Sequence, residues 1–176
     1  MLKPVIIDNV FTTEEVARLR ELMLKEPSRK KEYDPFCKRL MIYTDELEKV
    51  FSKKLEPLAA KYSGDPTMKT SYSALIQYAW ENSKLPPHTD QSASTFSIDY
   101  MLTQKTEPWP VVVDGVPYYL KENQALCFLG SELVHYRDPM PDPDNNLVEI
   151  GLFHFEPADS WYFGNCCPDF KLDTEQ

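Results

Sequence analysis

The stretch SYSALIQYAWENSKLPPHTDQSASTFSIDYML, residues 71–102, decides the architecture. Its pieces SALIQYAW and STFSIDYML are short, rich in aromatic and β-branched residues, and parted by turn signals that include Pro86-Pro87 and a Ser/Thr cluster. The same texture continues through WPVVV, VPYYL, ALCFLG and VEIGLFHF. Asp114-Gly115, between WPVVV and VPYYL, marks a tight hairpin, because glycine accepts the positive φ that a primed turn demands. Upstream, KPVIIDNVF reads as a short strand, and Thr12-x-x-Glu15 as a capping box opening an amphipathic helix with Val16, Leu19, Leu22 and Met23 on one side. A second helix is predicted from about Asp45 to Tyr62, carrying Leu47, Val50, Phe51, Leu55, Leu58 and Ala59, with Gly64 just past its end. Many short strands after two helices predict a mainly β (α+β) chain: a β-barrel or two-sheet jelly roll with helices packed outside.

The 176 residues, 42% hydrophobic and 12% aromatic, suit a single domain with one core. Within it, residues 1–70 form a helical support layer, 71–156 the jelly-roll core and 157–176 a C-terminal tail. A net charge of −9 and a pI near 4.8 repel phosphate backbones and anionic lipid, so neither nucleic acid nor membrane is an expected partner. The short basic runs Arg29-Lys30-Lys31 and Lys53-Lys54 sit among glutamates and read as solvated faces. No run approaches the ~18 apolar residues of a membrane span, and the opening MLKPVIIDNV lacks the pattern of a secretory leader, so a cytoplasmic location is expected. Cys37, Cys127, Cys166 and Cys167 lack C-x-x-C spacing and are expected to be reduced thiols; Cys127, in ALCFL, reads as a core residue.

Two of the three histidines fall where a metal would need them. His88-Thr89-Asp90 is an H-x-D at the end of a strand, where alternation turns residues i and i+2 to one side and lets an imidazole and a carboxylate converge on one ion. A third ligand must come from another strand, and FLGSELVH offers His135 after an apolar run and a Gly-Ser turn. Two imidazoles and a carboxylate leave one face of an octahedron open, as iron(II) needs to bind a bidentate acid and O2 together. An isolated H-x-D is also common as a surface hydrogen bond, so the surrounding sequence matters.

From Ala74 to Phe155 the chain resembles the iron(II)/2-oxoglutarate oxygenases, in pattern nearest the prolyl-4-hydroxylase-like branch. The resemblance rests on LIQYAWENSKLPPHTD, which places Tyr78 ahead of the dyad, on STFSIDYML after it, and on FLGSELVHYRDPM followed by VEIGLFHF. It implies a double-stranded β-helix of cupin-like form, with His88, Asp90 and His135 holding Fe(II). It also implies 2-oxoglutarate and O2 as co-substrates, and places Tyr78 and Tyr100 in the co-substrate site. The family usually sets an Arg or Lys early in the final strand to pair with the co-substrate, whereas this chain has Asp144-Asn145-Asn146-Leu147 there. The nearest guanidinium, Arg137, is therefore assigned with Tyr100 as the clamp for the distal carboxylate, a planar fork being suited to bidentate capture; a surface ion pair with Asp138 or a neighbouring acid is the alternative.

His154, by alternation from Leu152, is expected to point away from the metal or pack in the sheet. Glu149 is read as an inward carboxylate that could meet Arg137 or a substrate ammonium, and Trp80, Trp109, Tyr118 and Tyr119 as core residues or pocket lining. The resulting expectation is a dioxygenase hydroxylating an amino-acid-type substrate, free or in a peptide, with release of succinate and CO2. A small-molecule substrate, a 2-oxoglutarate-independent cupin-like metalloenzyme and a non-catalytic metal-binding barrel are the alternatives.

Overall fold

The structure, a computed structural model, describes residues 2–25, 30–91, 93–105, 107–141 and 147–165. A seven-stranded antiparallel sheet runs in the order β1 (Val5–Ile7), β9 (Ala125–Phe128), β6 (Phe96–Gln104), β11 (Val148–Pro157), β4 (Met68–Tyr78), β3 (Arg39–Tyr43) and β2 (Lys30–Asp34). A four-stranded sheet, β5 (Leu85–His88), β10 (His135–Arg137), β7 (Val111–Val113) and β8 (Val116–Tyr118), faces it. Asp114 and Gly115 both take positive φ, 51° and 74°, and join β7 to β8 in the tight hairpin that the sequence predicts.

Helix α1 (Thr13–Leu24) opens on a capping box in which Glu15 N–H donates to Thr12 Oγ1 and Thr12 N–H to a Glu15 carboxylate oxygen. A π-helical stretch, Leu47–Ser52, runs into α2 (Lys53–Ser63), which stops at Gly64 in the left-handed region. Both helices pack on the outer face of the larger sheet, burying Leu19, Leu22, Leu47 and Leu55 against Ile98, Tyr100, Phe153 and Phe155. A short α3 (Trp161–Asn165) closes the described chain. A second apolar cluster fills the space between the sheets, built from Ala74, Ile76, Met101, Trp109, Val113, Leu126 and Ile150.

The first seventy residues are more than a helical layer. The chain from Lys30 to Tyr43 forms a hairpin that extends the larger sheet through pairing of β3 with β4. Lys30 and Lys31 lie exposed on its outer strand, while Lys53 and Lys54 pair with Glu56 and Glu15 on the surface, consistent with solvated faces. Cys37 and Cys127 are buried free thiols, pushed up by burial to about 11 and about 12, which removes the reactive thiolate at neutral pH. Arg29, Cys166-Cys167 and Asp144–Asn146 lie outside the described residues. No helix among the described residues is long and apolar enough to cross a membrane.

Leu22 is fully buried between α1 and the sheet, so Leu22→Ala is expected to lower unfolding free energy by about 2–5 kcal/mol in a denaturant titration. Val50→Ala, at a position 56% exposed, is expected to change it by under ~0.5 kcal/mol.

Candidate metal centre

Strands β5 and β10 pair antiparallel with His135 opposite His88, so two imidazoles rise side by side, ring centroids 4.3 Å apart. Each is oriented by its own backbone: His88 Nδ1 donates to the Pro86 carbonyl at 2.8 Å and His135 Nδ1 to that of Leu133 at 2.9 Å. Both Nε2 lone pairs are thereby aimed at a common point. Just past β5, the Asp90 N–H donates to the Gly130 carbonyl at 2.9 Å, turning the carboxylate back toward the histidines. Its Oδ1 lies 3.6 Å from His88 Nε2 and 3.4 Å from His135 Nε2, and the three ligand atoms fall within 4.8 Å of one another. Asp90 Oδ2 is already engaged by the Ser97 hydroxyl at 2.6 Å, which leaves Oδ1 to face an ion. Two nitrogens and one carboxylate oxygen, each held by a second contact, fit a divalent iron-type site open on one side.

Gly130 permits this arrangement. A Cβ there would run into Asp90 Oδ2 and Ser97 Oγ, so only glycine lets the loop carry its carbonyl to Asp90. The charge balance follows the same contacts: burial opposes the Asp90 carboxylate, but His135 and His88 outweigh it and hold the group well below the usual carboxylate range. Asp90 in turn raises His88, burial working the other way.

The triad opens into a cavity of about 510 Å³ whose walls include Tyr72, Tyr78, Leu85, Phe128, Ile150 and Leu152, together with Arg39, Asp99 and His154. Tyr78 reaches this cavity from β4, as the resemblance implies. Tyr100 does not. On β6, Ser97 and Asp99 line the cavity and Met101 packs between the sheets, while Ile98, Tyr100 and Leu102 face the helices. The Tyr100 ring packs edge-on against Phe11 at 4.9 Å and its hydroxyl donates to Asn123 Oδ1 at 3.2 Å. It sits on the wrong side of the sheet for a clamp.

Arg137 is also committed elsewhere. It is 2% exposed, lies over the Trp109 ring at 5.2 Å, and donates to Asp99 Oδ2 at 2.8 Å and to the Trp109 carbonyl at 3.1 Å. This is a buried ion pair with Asp99, not a surface pair with Asp138, and Arg137 does not line the cavity. Among the described residues the cationic side chain that does is Arg39, on β3: its Nε donates to Asp34 Oδ2 at 3.1 Å and its NH1 reaches the Tyr78 hydroxyl at 3.4 Å. Sequence reasoning passed over Arg39 because it gave residues 30–43 no strand. Asp34-Pro35 followed by the apolar run LMIY was the signal for a hairpin there.

Two further expectations change. Leu152 and His154 do share a face of β11, but it is the inner one: both line the cavity, while Phe153 and Phe155 face the helices. The His154 ring stacks on Tyr72 at 4.4 Å, and its Nδ1 lies 3.0 Å from Ser97 Oγ and 3.7 Å from Asp90 Oδ2. Burial pushes it down to about 4, so it is neutral at physiological pH. Glu149 does not meet Arg137; it accepts from Gln77 Nε2 at 2.9 Å. Trp80 is partly exposed against Tyr33, Tyr119 is exposed, and Trp109 and Tyr118 pack in the inter-sheet cluster, so none of the four lines the cavity.

No protein-family model matches the chain, and no curated protein matches it. Solved structures do. The non-heme alpha ketoglutarate dependent epimerase SnoN from nogalamycin biosynthesis superposes with a TM-score of 0.66 at 12% identity, over 98% of this chain and 86% of that one. HygX from Streptomyces hygroscopicus, with nickel, 2-oxoglutarate and hygromycin B bound, gives 0.67 at 11% identity over 89% and 83%. A Pseudomonas putida prolyl-4-hydroxylase gives 0.62 at 12% identity over 86% and 91%. The chain has the double-stranded β-helix fold of the 2-oxoglutarate/Fe(II) oxygenases.

Gly130→Ala is expected to weaken metal binding about 10–100-fold in a calorimetric titration while the far-ultraviolet circular dichroism stays unchanged. His154, lowered in the folded protein from 6.5 to about 4, contributes stability that is present above pH 6.5 and lost as pH falls toward 4. Metal-free wild type is therefore expected to lose more stability than His154→Gln between those two pH values, compared by denaturant midpoints.

Proposed function

We propose that this protein is an Fe(II)- and 2-oxoglutarate-dependent dioxygenase. The observation that carries the reading is the convergence of His88, Asp90 and His135 at the wall of the barrel cavity. The bound metal would supply oxidative decarboxylation of 2-oxoglutarate to succinate and CO2, coupled to oxidation of a substrate C–H bond. His88 Nε2, His135 Nε2 and Asp90 Oδ1 would hold the ion; Ser97 and Gly130 fix the carboxylate.

The co-substrate's distal carboxylate is assigned to Arg39, with the Tyr78 hydroxyl as a further donor. Arg39 lines the cavity, and Asp34 accepts from its Nε and orients the guanidinium. Burial opposes its charge, but Tyr78, Cys37 and Asp34 more than compensate, so it stays a permanent cation. The substrate is assigned to the amino-acid type, free or within a peptide: a cavity of about 510 Å³ suits ligands of that scale. The prolyl-4-hydroxylase among the structural neighbours supports the same class, while HygX, with hygromycin B bound, supports small-molecule substrates more broadly.

One feature favours a second reading. The cation that the family usually sets early in the final strand is missing from Asp144-Asn145-Asn146-Leu147, which suits a metal-dependent enzyme that needs no 2-oxoglutarate. Fe(II)-dependent formation of succinate from 2-oxoglutarate separates the two. The proposal expects succinate, and O2 uptake without 2-oxoglutarate would favour the second reading. Arg39→Gln is expected to raise the KM for 2-oxoglutarate about 10–100-fold, the cost of one charged hydrogen-bonding partner; an unchanged KM would remove Arg39 from the clamp.

A further inference from the structure

His154 is a buried polar group that the proposed reaction does not use, and its hydrogen bonds fix which nitrogen carries the proton of the neutral ring. The Ser97 hydroxyl has one proton. Asp90 Oδ2, a carboxylate oxygen 2.6 Å away, can only accept, so that proton points to Asp90. Ser97 Oγ must then accept from His154 Nδ1, 3.0 Å away, which places the His154 proton on Nδ1 and leaves Nε2 as a bare lone pair. Among the described residues no hydrogen-bond partner meets Nε2. The sealed unpartnered side-chain atoms there are Ser73 Oγ, Asp99 Oδ1, Arg137 Nε and Ser160 Oγ; His154 Nε2 is not one of them, and its ring lines the cavity. The Tyr72 ring, stacked at 4.4 Å and 27°, holds the imidazole plane.

We infer that His154 is a substrate-recognition residue: it offers Nε2 to the cavity, beside the metal triad, as an acceptor for an N–H or O–H donor on the substrate. Ser97 locks that tautomer by handing its own proton to Asp90. One hydroxyl thus does two things: it keeps Asp90 Oδ1 turned to the metal and keeps the His154 proton out of the cavity. An amide N–H or a hydroxyl is accepted there, and a substrate presenting a carbonyl oxygen at that point meets an unpaired acceptor. The inference rests on the metal-site reading for its purpose, but its tautomer test needs neither metal nor co-substrate.

The chain has three histidines, so their ring nitrogens can be resolved by long-range proton–nitrogen correlation on 15N-histidine protein, assigned with single variants. The full-length metal-free protein is expected to show His154 protonated at Nδ1. Ser97→Ala is expected to abolish that signature, and Ser97→Thr, which keeps the hydroxyl, to restore it. Zinc-substituted protein is then titrated with formamide and, as a matched amide without N–H, N,N-dimethylformamide. The inference expects the His154 Nε2 resonance to move upfield with formamide only. A proton on Nε2 in the wild type would overturn the tautomer lock, and an equal response or none with the two amides would overturn donor recognition. If succinate formation failed while these results held, the co-substrate reading would fall and this one would stand.

Discussion

The antiparallel pairing of β5 with β10 is the constraint on which the site depends. It sets His88 opposite His135 in register, and each ring is aimed by a hydrogen bond from its own Nδ1 to a carbonyl two residues back. A one-residue slip would turn one imidazole to the other face of the sheet and leave Asp90 alone. The bulge that follows His135 shifts the register so that Arg137 meets Leu85, letting a three-residue strand deliver one imidazole of the candidate triad and one structural cation. Asp90 closes the triangle from outside the strand, through Gly130 on one side and Ser97 on the other.

Charge is distributed around this centre in tiers. Asp90, set against the histidines, is kept ionised despite its burial. Deeper in, Asp99 and Arg137 form a second buried pair, each retaining an unpartnered atom, Oδ1 and Nε. Pairs of this kind are weak sources of net stability, since desolvation offsets most of the attraction. Their effect here is to withdraw Arg137 from the cavity, while Arg39 reaches it from β3, in the hairpin that extends the larger sheet past β4.

Much of the fold was legible because strand texture, the Asp114-Gly115 turn and the capping box at Thr12 are local signals. The convergence of His88, Asp90 and His135 was legible because H-x-D at a strand end carries its own geometry. What failed was phase. All of β6 up to Thr103 is buried on both faces, so alternation in FSIDYMLTQ gives no hydrophobic contrast to say which residues point inward; Tyr100 was assigned to the cavity when Ser97 and Asp99 occupy it. The same ambiguity on β11 hid the inward turn of His154. Arg39 was missed for a different reason: its hairpin extends the sheet beyond the double-stranded β-helix, and its strands carry as many charges as apolar residues, a pattern that reads as surface.

The central claim is that His88, Asp90 and His135 form one iron site that accepts 2-oxoglutarate. An anaerobic titration of the metal-free protein with Fe(II) and then 2-oxoglutarate tests it most directly, by the visible metal-to-ligand charge-transfer absorption that chelation of a 2-keto acid to iron produces. The account predicts a saturable band in the wild type that is lost in His135→Ala. Iron binding without a band, or a band that survives removal of His135, would contradict it.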